Sequence, residues 1–123
     1  MGKPHKKLKA WQVAMEIVQD VYKFTQQLPG EEKYGLVSQM RRSAISIPSN
    51  IAEGAARRSS KEFVQFLHIA QASLAELDTQ IELCVRLGYF NNEKELFERK
   101  MLEVDRMISG LIRSIKSKPS SLS

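Results

Sequence analysis

Apolar residues recur every three or four positions through four long segments of the chain, and this periodicity constrains the fold most. The first segment carries two such series side by side: Leu8, Trp11, Met15, Val18, Tyr22 and Thr25, and then Ala10, Ala14, Ile17, Val21, Phe24 and Leu28. A helix of about 3.6 residues per turn places each series along one side. No segment shows the apolar and polar alternation of a strand. An all-α fold is therefore predicted.

The chain of 123 residues is long enough to bury one core. We predict a single antiparallel four-helix-bundle domain over residues 1–118, with helices at about 6–28, 33–56, 60–87 and 92–116, and a disordered tail over 119–123. Pro29 and Gly30 separate the first two helices. Ser59 and Glu62 have capping-box spacing before the third helix, and Asn92 and Glu95 have it before the fourth.

The stretch "SIPSNIAEG", residues 46–54, places a proline and several polar residues inside the second helical pattern. The apolar phase continues unchanged across Pro48, which predicts one helix kinked at that proline. Two shorter helices, with Pro48 in the first turn of the second, are the alternative. Ser46, Ser49 and Asn50 can satisfy backbone groups that the kink frees. The structural motif of this stretch consists of Ser46, Pro48, Asn50, Glu53 and Gly54.

The net charge of +5 is unevenly distributed along the chain. Residues 1–58 contain ten lysines and arginines against five acids, whereas residues 59–123 contain nine of each. A basic region attracts nucleic acid, although a solvated basic surface has the same composition. The candidate phosphate-binding residues are Lys6, Lys7, Lys9, Arg41, Arg42, Arg57, Arg58 and Lys61.

No catalytic or metal-binding motif is present. His5 lies in a basic leader and His68 within the third helix, without the Glu-x-x-His spacing of di-iron bundles. There is no HExxH motif, Walker loop or GxGxxG motif. Cys84 is the only cysteine and is expected in the core. We therefore predict a protein that is not an enzyme and binds no metal or cofactor.

The sequence also shows no targeting signal and no membrane-spanning segment. The beginning of the chain keeps charges throughout, and no run approaches the roughly 20 apolar residues that cross a bilayer. A bacterial, cytoplasmic protein with no membrane partner is the expectation.

The stretch "YGLVSQMRRSAISIPSNIAEGAARRSSKEFVQFLHIAQAS", with "AWQVAMEIVQDVYKFTQQLP" before it, resembles the bacterial four-helix-bundle family of 23S rRNA intervening-sequence proteins. It is more distantly similar to the accessory variability determinant of diversity-generating retroelements. The resemblance covers roughly residues 8–115. Its most specific residues are Gln39, Arg41, Arg42, Ser46, Asn50, Ile51, Ala52, Glu53 and Gly54. It implies a barrel-shaped homopentamer, and the retroelement relatives imply binding of nucleic acid and of a reverse transcriptase.

The first two helices carry more apolar positions than a four-helix bundle needs, which favours association with a partner over the alternative that some of these residues, chiefly alanines, are simply exposed. A closed ring would repeat one such interface around an axis. Two functions fit these observations. The protein is either a nucleic-acid-binding accessory assembly, for RNA or DNA, or a protein-interaction scaffold ring with no nucleic-acid role. In the second case the basic residues pair with acids, as Glu53 can with Arg57 four residues later.

Overall fold

The computed structural model describes residues 3–90 and 92–118, and within them it is all-helical without strands. Four α-helices are present: α1 (Lys9–Thr25), α2 (Ser38–Ala55), α3 (Ser60–Arg86) and α4 (Lys94–Lys116). A 3-10 turn, Pro4–Lys7, precedes α1. The link between α1 and α2 contains a second 3-10 turn, Gly30–Glu32, and a π-helical turn, Lys33–Val37. The predicted all-α fold with four helices is confirmed.

Each helix packs against the next one along the chain, and α1 also packs against α4. Side-chain contacts show the antiparallel order of α2 and α3: Ser46 meets Ser73 at 2.7 Å, and Met40 meets Cys84 at 3.6 Å. The core is a continuous cluster of apolar residues from all four α-helices. Cys84 is buried there as predicted, and burial together with the negative charge of Glu32 raises its thiol pKa to about 11.

Pro48 lies inside α2, so the helix is continuous across it and the alternative of two shorter helices is wrong. The kink itself stays a prediction. Pro48 removes the amide that would bond to the carbonyl of Ala44. The side chain of Asn50 instead bonds to the carbonyl of Ser46, at 2.8 Å, and to its hydroxyl, at 2.9 Å. Its hydrogen bonds thus reinforce the next turn and do not replace the one that Pro48 removes.

Helix ends differ from the prediction by a few residues. The first α-helix starts at Lys9 because Leu8 has an extended backbone, and it ends at Thr25, whose hydroxyl donates to the carbonyl of Val21 at 2.7 Å. The second predicted helix began at residue 33, but α2 begins at Ser38 because Gly35 has a non-helical backbone. Pro29 disfavours helical backbone at the residue before it, which explains why Leu28 does not extend α1.

The predicted caps have different outcomes. The Ser59 hydroxyl accepts from the amide of Glu62 at 3.3 Å, which confirms the start of α3. The predicted cap at Asn92 is wrong, because α4 begins one residue later than that spacing requires, with Glu93 as its N-cap. The predicted tail over 119–123 lies outside the described residues. Among the residues described, no helix combines the length and apolar character needed to cross a membrane.

Candidate nucleic-acid interface

Up-and-down packing gathers the start of the chain, the end of α2, the start of α3 and the end of α4 at one end of the bundle. Contacts support this placement. Leu8 and Lys9 line a cavity with Leu111 and Ser114 of α4, and Gly54 of α2 packs against Phe66 of α3. We call this end the basic end. Its basic residues include Lys6, Lys7, Lys9, Arg57, Arg58, Lys61, Arg113 and Lys116.

Most cations of the basic end are free to meet a ligand. The side chains of Lys6, Lys7, Lys9, Arg58, Lys61, Arg113 and Lys116 are exposed, and none has a hydrogen bond or an ion pair with another described residue. Their charges repel one another when no counterion is present, so an anion that lies across the end lowers the electrostatic energy.

Arg57 is held in place by its neighbours. Its guanidinium pairs with Glu53 at 2.8 Å and lies 4.8 Å from the centre of the Phe66 ring. Both side chains of this ion pair are exposed to solvent, so the pair contributes little to stability. The contact with Glu53 partly neutralises Arg57, as the scaffold hypothesis expected for that spacing.

Arg41 and Arg42 lie away from the basic end, in the first turns of α2. The Arg41 Nε donates to the Thr25 hydroxyl at 2.9 Å, and its guanidinium lies 4.2 Å from the centre of the Tyr22 ring. Arg41 therefore fastens α2 to the end of α1. Arg42 is exposed. The structure brings together six of the eight predicted residues and leaves these two near the opposite end.

Sequence reasoning missed Arg113 and Lys116, which α4 brings to the basic end. They belong to the half of the chain whose charges balance, so a count along the sequence concealed them. The available signal was topology, because an antiparallel bundle returns the end of the fourth helix to the start of the first. Lys100, by contrast, is neutralised: it bonds to Asp20 at 2.7 Å and meets Glu16 at 3.4 Å, and the hydrogen bond to Asp20 raises its pKa.

Two polar residues of "SIPSNIAEG", Ser46 and Asn50, take part in the contact between α2 and α3. The amide of Asn50 donates to the hydroxyl of Ser46, which bonds to the hydroxyl of Ser73, and Ser73 donates to the carbonyl of Ile69 at 3.2 Å. This chain of hydrogen bonds crosses from α2 to α3. Within residues 3–90 and 92–118, no group of three histidine, cysteine or acidic side chains is placed to hold a metal ion.

Comparison with models of known protein families finds a match. A family model described as 23S rRNA-intervening sequence protein matches residues 6–110, which is most of the chain. No curated protein matches it.

Proposed function

The chain belongs to the 23S rRNA-intervening sequence protein family, and we propose that it is a non-enzymatic accessory protein that binds nucleic acid, RNA or DNA, through its basic end. The observation that carries this proposal is the set of exposed, unpaired cations that three separate segments bring to one end of the bundle. These are Lys6, Lys7 and Lys9 from the start of the chain, Arg58 and Lys61 from the junction of α2 and α3, and Arg113 and Lys116 from α4.

Lysine and arginine side chains on a solvent-exposed surface favour phosphate contacts over base contacts. Each contact releases condensed counterions from the polymer, which supplies affinity without reading sequence. The most exposed aromatic residue described, Tyr34, belongs to the π-helical turn at the opposite end of the bundle. Stacking on single-stranded bases is accordingly not part of the proposal.

The family description refers to 23S rRNA, which makes structured RNA the first polymer to test. We further propose that the protein acts as a homo-oligomer, a pentamer by the resemblance given above. Several copies in a ring would present several basic ends to one polymer. Their combined affinity would then exceed that of one subunit.

A protein-interaction scaffold is the second candidate function. Exposed apolar side chains on α1, α2 and α3, among them Met15, Ile45 and Leu83, favour contacts with protein. A scaffold ring with no nucleic-acid role would use such surfaces and leave the basic end to solvent. A reverse transcriptase is the partner to examine if the distant likeness to retroelement accessory proteins extends to function.

The test removes free cations of the basic end and compares the result with an equal loss of charge elsewhere. The basic-end variant is Arg58→Gln, Lys61→Gln, Arg113→Gln and Lys116→Gln. The control variant is Lys23→Gln, Lys33→Gln, Lys94→Gln and Arg99→Gln, which removes the same charge away from that end. Lys23, Lys33 and Arg99 are exposed, and Lys94 is half-buried and lies 3.7 Å from Glu98. Binding to a fluorescent RNA hairpin and to duplex DNA is measured by anisotropy.

We expect the basic-end variant to bind at least about 100-fold more weakly, because four phosphate contacts are lost, and the control variant to stay within about fivefold of the parent. Equal weakening by both variants would mean that net charge, and not the basic end, governs binding. Lack of any complex between the parent and either polymer at micromolar concentration would leave the scaffold function as the one to pursue.

A further inference from the structure

Two surfaces with exposed apolar side chains occupy neighbouring sides of the bundle. The first, which we call the α1–α2 groove, has a volume of about 300 Å³ and is lined by Trp11, Met15, Val18, Ile45, Pro48 and Ala52. Met15 and Ile45 are among the large apolar side chains that stay exposed. The groove is therefore an open apolar surface and not a closed part of the core.

The second surface is a stripe along α3. It consists of Ile69, Glu76, Gln80, Leu83 and Leu87, which follow one another at helical spacing, and we call it the α3 ridge. Ile69, Leu83 and Leu87 are exposed. Ser73 belongs to the same series and bonds to Ser46 of α2, so the α3 ridge lies on the side of α3 that faces α2.

We propose that copies of this chain join head to tail, with the α3 ridge of one copy packed into the α1–α2 groove of the next. This inference rests on the homo-oligomer of the proposed function and names the surfaces that would build it. A second copy is the occupant because a single chain carries both a groove and a ridge. One repeated contact would cover both surfaces on every subunit.

Charge supports this pairing. Arg42 is exposed beside Ile45 of the groove, and Arg41 is bound to Tyr22 at the end of the same face. The α3 ridge carries Glu76 at its middle and no basic residue. Neither Arg42 nor Glu76 has a hydrogen bond or ion pair with another described residue. Contact between the two surfaces would bring these opposite charges together.

Position along the bundle supports the pairing too. Ser46 meets Ser73 and Met40 meets Cys84, so Arg42 of α2 and Glu76 of α3 both lie between these two contacts. The two charges therefore lie along the same stretch of the bundle. A ring whose axis runs along the helices joins residues of similar height, so Arg42 of one copy can approach Glu76 of the next.

The angle between the two surfaces favours a closed ring. The α1–α2 groove and the α3 ridge lie on neighbouring sides of a four-helix bundle, which meet at about 90°, while a regular ring needs about 90° for four subunits and about 108° for five. Surfaces on opposite sides of the bundle would produce an open filament instead.

The experiment blocks each surface separately and then mixes the two variants. Met15→Glu, at a position 41% exposed, places a charge in the groove, and Leu83→Glu, at a position 45% exposed, places one on the ridge. Leu102→Glu, at a position 49% exposed on α4, is the control outside both surfaces. Circular dichroism checks that each variant keeps the parent's helix content. Sedimentation velocity measures the mass of the assembly at about 200 μM subunit, because at that concentration even a contact with a Kd of about 100 μM is populated.

We expect the parent and Leu102→Glu to assemble alike, and Met15→Glu and Leu83→Glu to be monomeric when alone. Their equimolar mixture should form a dimer and nothing larger, because it retains one intact groove and one intact ridge. A parent that assembles while the mixture stays monomeric would overturn the ridge-and-groove pairing and leave the homo-oligomer standing. A monomeric parent would overturn both, and RNA binding would still be tested separately by the basic-end variant.

Charge exchange provides a second measurement of the same contact. Arg42→Glu and Glu76→Arg should each raise the concentration for half-assembly about tenfold or more, and the double variant should return it to within about threefold of the parent. Single variants that assemble as the parent does would exclude a contact between Arg42 and Glu76.

Discussion

Asn50 shows at the scale of one residue how a polar side chain can stabilise a helix that contains proline. It is half-buried between α2 and α3, and its amide reaches both the carbonyl and the hydroxyl of Ser46. The sequence indicated that polar residues beside Pro48 bond to the backbone. It could not indicate that the Ser46 hydroxyl also accepts from Asn50, because that hydroxyl is positioned by Ser73, 27 residues away.

We expect Asn50→Leu to lower the free energy of unfolding by about 1–3 kcal/mol, since the substitution leaves the Ser46 hydroxyl without one of its partners in a partly buried site. Thermal or urea denaturation measures the change. Ser49→Ala is the matched control, because Ser49 is exposed one residue away, and its unfolding should stay within about 0.5 kcal/mol of the parent. Equal stability of the parent and Asn50→Leu would show that the amide contributes nothing measurable to folding.

Gly54 decides, at the scale of helices, how closely α2 approaches α3. A Cβ on Gly54 would lie 2.8 Å from the Cβ of Phe66 and 2.9 Å from the Cδ1 of Phe63, closer than real contacts allow. The absence of a side chain therefore lets the end of α2 sit directly against the first turns of α3. This packing holds Arg57 beside Phe66 at the edge of the basic end.

Gly54→Ala and Gly110→Ala should change stability in opposite directions. The first forces α2 and α3 apart, and we expect a loss of about 1–3 kcal/mol despite the better helix propensity of alanine. The second adds a Cβ whose nearest neighbour is the terminal nitrogen of Arg113 at 3.9 Å, so no contact is strained. Only the higher helix propensity of alanine then matters, and we expect the free energy of unfolding to rise by up to about 1 kcal/mol. Urea denaturation of both variants provides the measurement, and a stabilised Gly54→Ala would contradict the close approach.

The sequence predicts the existence and the order of the helices better than their ends. Long apolar series of period 3.6 leave little choice of secondary structure, so all four helices could be anticipated. Their ends depend on single residues such as Leu8, Gly35 and Glu93, whose backbone geometry follows from tertiary contacts as much as from local propensity. The same limit explains why the cap at Asn92 was misassigned by one residue.

At the scale of the whole molecule, the fold separates charges that are mixed along the sequence. Six of the eight predicted cations meet at the basic end, Arg41 is taken up by Thr25 and Tyr22, and α4 adds two cations that the charge count could not single out. The contacts that each lysine or arginine makes in the folded chain decide whether its charge is free to bind a ligand. The sequence alone does not show these contacts.

The salt dependence of RNA binding tests the proposed role of the basic end most directly. Anisotropy titrations of the parent with a structured RNA hairpin, at several salt concentrations, give the slope of log K against log salt. We expect a slope of about −3 or steeper for contact with four or more phosphates, and a clearly shallower slope for the variant that lacks Arg58, Lys61, Arg113 and Lys116. A slope near zero for the parent, or the same slope for both proteins, would contradict phosphate binding by the basic end.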